Sequence, residues 1–194
     1  GNIARADDPR WIHMISSYLE HLIIEKGYTC IEYYNLVNEP NGNWASTDGD
    51  WTEWKTGVRM LRDSLDARGL DQFIGIAGPD AVTSYDNPKS EYSGFGWLRA
   101  SVDQIDALTS LYDVHAYPSG EIVHSGNLQN FLNRSANIIK ATGKPVILGE
   151  IGLKYQGEMR QENRRRAQKD PHAGINDSQM FVYEPLYALD VVDA

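Results

Sequence analysis

The sequence predicts an α/β fold built on a parallel sheet of the β/α-barrel type, and three observations carry that expectation. Segments with apolar residues at helical spacing alternate with short apolar runs, and such alternation means a parallel sheet with right-handed crossovers. No glycine loop of the dinucleotide-binding kind follows any run, because Gly75 and Gly78 lack the spacing. Polar and aromatic residues crowd the loops after the runs instead, as on the working face of a β/α barrel.

Each element has its own signal. Trp11, Ile12, Ile15, Leu19, Leu22 and Ile23 recur at helical spacing, and Gly27 stops the segment. Cys30 to Val37 is an apolar run that reads as a buried strand leading into Asn38-Glu39-Pro40. Asp50 to Glu53 has the form of a capping box and opens a helix carrying Trp54, Val58, Leu61 and Leu65, stopped near Gly69. Phe73 to Ala77 is a second short buried strand. A helix with Leu98, Val102, Ile105 and Leu108 precedes the strand Leu111 to Tyr117. Leu128, Phe131, Leu132, Ile138 and Ile139 form a further helix that Gly143 and Pro145 end. Pro145 to Glu150 is the last strand. A polar, irregular stretch from Lys154 to Asp177 follows, and Met180 to Val192 reads as another helix, with Pro185 marking its start.

Composition narrows the function classes. The 194 residues, 41% hydrophobic and 23% charged, suit one globular domain with a real core, residues 1–194 taken as a single partial barrel domain. A net charge of −9 offers no basic excess to displace phosphate counterions, so no nucleic-acid partner is expected. No apolar stretch approaches the roughly 20 residues of a membrane span, so no membrane partner is expected. The single cysteine, Cys30, excludes an intrachain disulfide and reads as a small buried apolar group. His13, His21, His124 and His172 lack metal-ligand spacing, and no cofactor is expected. Arg164-Arg165-Arg166 is read as a solvated charge run.

The chemistry-bearing feature is a pair of glutamates. Glu39 and Glu150 each end an apolar run. A buried carboxylate is unfavourable unless paired or hydrogen-bonded, and strand C-termini are where α/β folds build their sites. Two such carboxyls are what glycoside hydrolysis requires, one acid and one carboxylate flanking a single bond.

Asn38-Glu39-Pro40, His115-Ala116-Tyr117 and Gly149-Glu150, at three predicted strand ends, together resemble glycoside hydrolase clan A. The similarity is greatest to its cellulase- and mannanase-type enzymes, and runs from about Trp11 to Leu153. The resemblance implies a (β/α)8, TIM-barrel-type fold and a retaining hydrolase of β-linked poly- or oligosaccharides. It makes Glu39, ending the fourth barrel strand, the acid/base, and Glu150, ending the seventh, the nucleophile. It assigns Asn38 to the sugar 2-hydroxyl, His115 to substrate binding and Tyr117 to a hydrogen bond on Glu150. The separation, 150 − 39 = 111 residues, leaves room for three βα units, and two runs lie between the glutamates. The carbohydrate substrate also implies an extracellular or periplasmic home.

The resemblance covers the middle of a barrel. The first two strands and the eighth are not found, and the third is at best a tail near Ile3. A truncated fragment, or half of an assembly that completes the barrel, is expected, and its open sheet edges would favour self-association. The alternative is a non-catalytic carbohydrate-binding or inactive barrel fragment. Trp44 and Trp51 lie in the loop after Glu39, where aromatic platforms for the apolar face of a sugar are expected. Trp51 stands close to a helix start and reads equally as core, which leaves Trp44 as the substrate residue. Asp80 and Trp97 are weaker subsite candidates, Asp113 is either a carboxylate supporting the site or a strand-start residue, and Lys154 and Tyr155 read as surface loop.

Overall fold

In the computed structural model, residues 3–152, 165–166 and 168–170 are described. The expected helix over Met180–Val192, Lys154, Tyr155 and most of the polar stretch lie outside these residues. Arg165 and Arg166 lie within them and are exposed. The chain divides into two compact units, one of residues 1–115 and 135–149, the other of 116–134 and the chain from 150 onward.

The elements run α1 (Pro9–Glu20), β1 (Tyr33–Asn35), α2 (Trp51–Ala67), β2 (Gly75–Val82), α3 (Gly94–Ile105), β3 (Leu111–Ala116), α4 (Gly120–His124), α5 (Asn127–Ile139) and β4 (Val146–Ile151). Among the described residues, four parallel strands lie in sequence order, β1-β2-β3-β4. β1 pairs with β2 in the register Tyr33↔Gly75 to Asn35↔Ala77. This is the strand order of part of a β/α barrel, as expected.

Local chemistry sets the helix starts. Asp8 accepts from the Arg10 amide at 2.9 Å, and Pro9 needs no acceptor there. Asp50 accepts from the Glu53 amide at 2.9 Å. Glu53 does not close the capping box. Its carboxylate accepts from the Ala6 amide at 2.7 Å and pairs with Arg5 at 3.2 Å, tying the segment before α1 to α2. The same seam requires Gly57, where a Cβ would lie 2.6 Å from the Ala6 carbonyl oxygen.

The core of the first unit packs α1, α2 and α3 against the sheet. Leu61, Leu65, Leu70, Ile74 and Ile76 are fully buried. Trp51, Trp54 and Trp97 meet with ring centroids 5.1–5.5 Å apart. An aromatic side chain buries roughly 200 Å², which at about 25 cal/mol/Å² contributes about 5 kcal/mol each. A second cluster sets Leu98, Tyr112, Val114, Ile138 and Ile139 together behind β3. Trp51 and Trp97 are therefore core, and the subsite reading of Trp97 is corrected.

The strand boundaries also correct the sequence reading. β1 is only three residues long, and Cys30 is exposed outside it, not buried within it. Among the described residues β1 is an edge of the strand order, and the residue before it pairs on the β2 side through the Gly75 amide and the Glu32 carbonyl. Among the described residues β4 is the other edge, and Val146 and Ile147 remain about two-fifths exposed despite their apolar character. Phe73 sits in the turn after α2 and is exposed, while β2 runs on past Ala77 to Val82. Ile3 belongs to no strand.

Candidate functional site

Glu39 lies in the turn just past β1 and is 6% exposed. Its φ of 49° places a non-glycine residue in the left-handed region, an arrangement costing on the order of 1–2 kcal/mol. The hydrogen bonds around it offset that cost. Its amide donates to Asp80 Oδ2 at 3.2 Å. One carboxyl oxygen contacts His115 Nδ1 at 3.1 Å, and the other accepts from Trp44 Nε1 at 2.5 Å. An imidazole and an indole thus fix both oxygens of a buried carboxyl at a strand end.

β2 and β3 supply the groups behind it. The β2–β3 register shifts between Pro79 and Ala81, so Asp80 occupies a bulge, and its own φ is 59°. Bulges beside sites re-aim a side chain. Here the bulge buries Asp80 to 3% exposure with three donors on its carboxylate. Oδ1 contacts His115 Nε2 at 2.9 Å, while Oδ2 meets Asn35 Nδ2 at 2.5 Å and the Glu39 amide. Each ring nitrogen of His115, on β3 and 2% exposed, therefore meets a carboxyl oxygen, Nδ1 that of Glu39 and Nε2 that of Asp80.

Asp113 completes the cluster. It precedes His115 by two residues on the same strand, and successive side chains on a strand alternate faces. Its Oδ1 accepts from the Gly149 amide on β4 at 2.9 Å. A Cβ at Gly149 would fall 2.3 Å from that oxygen, so a larger residue there would displace the Asp113 carboxyl. Burial, together with the adjacent Asp80 carboxyl, pushes the Asp113 carboxyl up to about 7. Asp80, Asp113 and His115 bring donor atoms within 4.8 Å of one another, a set that a divalent cation could use. In this structure those atoms are engaged with each other and with backbone amides, and the cluster works as a hydrogen-bond network.

Because the folded Asp113 binds its proton more tightly than an unfolded aspartate, its contribution to stability is complete below about pH 4. It is lost as the pH rises through about 7. Asp113→Asn should keep the neutral acid's pattern, its amide NH2 donating toward Asp80 and its carbonyl accepting from Gly149. The expected result is a urea midpoint nearly independent of pH over that window, with the variant about 1–3 kcal/mol more stable than wild type above pH ~8. Parallel pH dependences in the two proteins would show that Asp113 is ionised in the fold.

Asn38 is exposed and lines a cavity of about 400 Å³ with Ile3, Arg5, Trp11, Met14 and Leu36. Trp44 is half exposed and tilts 51° against Tyr85 at 4.7 Å. In the second unit, Tyr117 follows the end of β3 and its hydroxyl donates to Glu150 Oε2 on β4. The Gly152 amide bonds the Ala116 carbonyl at 3.3 Å beside them. The structure thus gathers Glu39, His115 and Trp44 in one cluster and joins Tyr117 to Glu150. Sequence reading missed the roles of Asn35 and Asp80. The available signal was a charged residue embedded in the otherwise apolar Phe73–Val82 segment, where an unpaired charge would be untenable.

A family model described as cellulase, glycosyl hydrolase family 5, matches residues 27–176. No curated protein matches the chain. Among solved structures, a GH26 beta-mannanase from Bacteroides ovatus superposes with a TM-score of 0.53 at 20% identity, over 75% of this chain and 40% of that one. This chain therefore spans well under half of the mannanase it matches, and the likeness is one of fold.

Proposed function

The chain belongs to the cellulase family, glycosyl hydrolase family 5, and from that premise we propose that it carries the two catalytic carboxyls of a retaining glycoside hydrolase acting on β-linked poly- or oligosaccharides. Glu150 is the nucleophile and Glu39 the acid/base. The observation that carries this reading is the state of Glu39: a carboxyl 6% exposed, at a strand end, with each oxygen held by a ring nitrogen. Packing gains nothing from such a group, whereas proton transfer to a leaving oxygen needs it oriented and shielded.

In the first step Glu150 attacks the anomeric carbon while Glu39 gives its proton to the departing glycosidic oxygen. The Tyr117 hydroxyl, donating to Glu150 Oε2, orients the nucleophile. In the second step Glu39, now a carboxylate, takes a proton from water as that water displaces Glu150 from the sugar. Trp44 holds Glu39 with its N–H edge, and its half-exposed ring is the surface for an apolar sugar face. Asn38 takes the 2-hydroxyl. A polymeric substrate of this kind places the protein outside the cytoplasm.

Chromophore release from aryl β-glycosides tests the reading. The chain should release aryl alcohol, and Glu150→Ala should reduce release at least about 10³-fold, since a nucleophile has no substitute in a two-step displacement. The 40% coverage of the mannanase favours one competing reading, a carbohydrate-binding fragment without turnover. Sugar binding with no release, in wild type and variant alike, would select it.

A further inference from the structure

We propose that Asp80 is the positioning residue of the acid/base, fixing the proton on His115 Nε2 so that the Glu39–His115 contact always holds a proton of its own. The inference rests on the assignment of Glu39 above, and its geometry is independent of substrate. Asp80 Oδ1 lies 2.9 Å from His115 Nε2. An ionised carboxylate can only accept, so Nε2 carries hydrogen. The ring's other nitrogen then faces Glu39 Oε1 at 3.1 Å. A bare Nδ1 lone pair against a carboxylate oxygen would be repulsive, so one proton sits in that contact, on Glu39 or on the ring. That proton is within reach of the group that must donate at bond cleavage. Asp113 stands beside both Asp80 and His115, its Oδ1 accepting from the Gly149 amide. Asp80 also accepts from the Glu39 amide, so a single carboxylate sets both the backbone of Glu39 and the proton inventory of its partner.

Asp80→Asn discriminates this role from mere packing. Asp80 receives donors on both oxygens, from His115 on one and from Asn35 and the Glu39 amide on the other. An asparagine has one oxygen, and two donors outvote one, so its NH2 should turn toward His115. The ring must then accept at Nε2 and move its hydrogen to Nδ1. The experiment is a long-range 15N–1H imidazole spectrum of the full chain near neutral pH, with the His115 signal assigned by its disappearance in His115→Gln. The expected result is a protonated Nε2 in wild type and a bare Nε2 with protonated Nδ1 in Asp80→Asn. Turnover of an aryl β-glycoside should fall about 10²–10⁴-fold in kcat, with KM little changed, as expected for a wrong tautomer in an intact site. A bare Nε2 in wild type overturns the proposal whether or not the variant folds, and so does an unchanged tautomer in a folded variant. If wild type shows no turnover, the hydrolase reading fails while the tautomer result still decides the role of Asp80.

Discussion

Glu39→Ala is expected to lose turnover in proportion to how much its substrate needs an acid. For an aryl glycoside with a poor leaving group, or for an oligosaccharide, kcat/KM should fall about 10²–10⁴-fold, the usual contribution of a positioned proton donor. For a dinitrophenyl glycoside, whose leaving group departs without protonation, formation of the covalent intermediate should be nearly unaffected. Its hydrolysis should then stall for want of a base, so a burst followed by slow turnover is expected. Azide, a nucleophile that needs no deprotonation, should restore the second step and yield a glycosyl azide of retained configuration. The site supports this division of labour. Glu39 is held at both oxygens by His115 and Trp44, while Tyr117 attends Glu150. Equal losses on all leaving groups, with no azide rescue, would reduce Glu39 to a structural role.

Trp54→Ala is expected to have the largest effect on stability. Trp54 is 1% exposed on α2, packs on Trp51 and Trp97 and stands against β2, where a Cβ at Gly78 would come within 3.3 Å of its ring. Large-to-small replacement at such a position costs about 3–5 kcal/mol, the transfer loss plus the cavity left behind. Its indole N–H, however, finds no acceptor among the described residues. That unpaired donor already carries a penalty of about 1–3 kcal/mol, which Trp54→Phe would remove together with part of the ring. Phenylalanine should therefore recover more than half of the alanine loss in a urea melt. Trp54→Ala should also lower activity in the fraction that remains folded, because β2 carries Asp80 two residues beyond Gly78. A phenylalanine variant as unstable as the alanine one would mean that the indole N–H is satisfied in solution.

Much of this arrangement was legible in the sequence, and the rest was not for identifiable reasons. Helices announced themselves by spacing and caps: Asp50 stands before α2 as expected, and Asn127–Ile139 is the helix that Leu128 to Ile139 predicts. The order of strand ends holding Glu39, His115 and Glu150 was likewise readable, because a polar residue at the end of an apolar run has few structural reasons to be there. Burial of the edges was not. Cys30 and Val146 belong to apolar segments of the kind that fill a sheet's interior, yet both are exposed, since position within a sheet depends on pairing that no local pattern encodes. Asp80 was misplaced just past a strand end because Gly78-Pro79 reads as a stop. The chain continues β2 through that dipeptide by a bulge, and the bulge turns Asp80 toward His115. The tryptophans divided on similar grounds. Trp51 and Trp97 pack together in the core, and Trp44, fewer than ten residues from Trp51, stays half exposed on Glu39.

The central claim is that Glu150 forms a covalent bond to sugar while Glu39 manages the proton. Mass spectrometry of the chain after incubation with a 2-deoxy-2-fluoro dinitrophenyl β-glycoside measures this most directly, since the fluorine slows both steps while the dinitrophenolate leaving group keeps formation of the intermediate faster than its release. A single added glycosyl group, mapped by proteolysis to the peptide containing Glu150 and absent from Glu150→Ala, is the expected result. A label on any other residue, or turnover that gives the inverted anomer with no adduct formed, would contradict it.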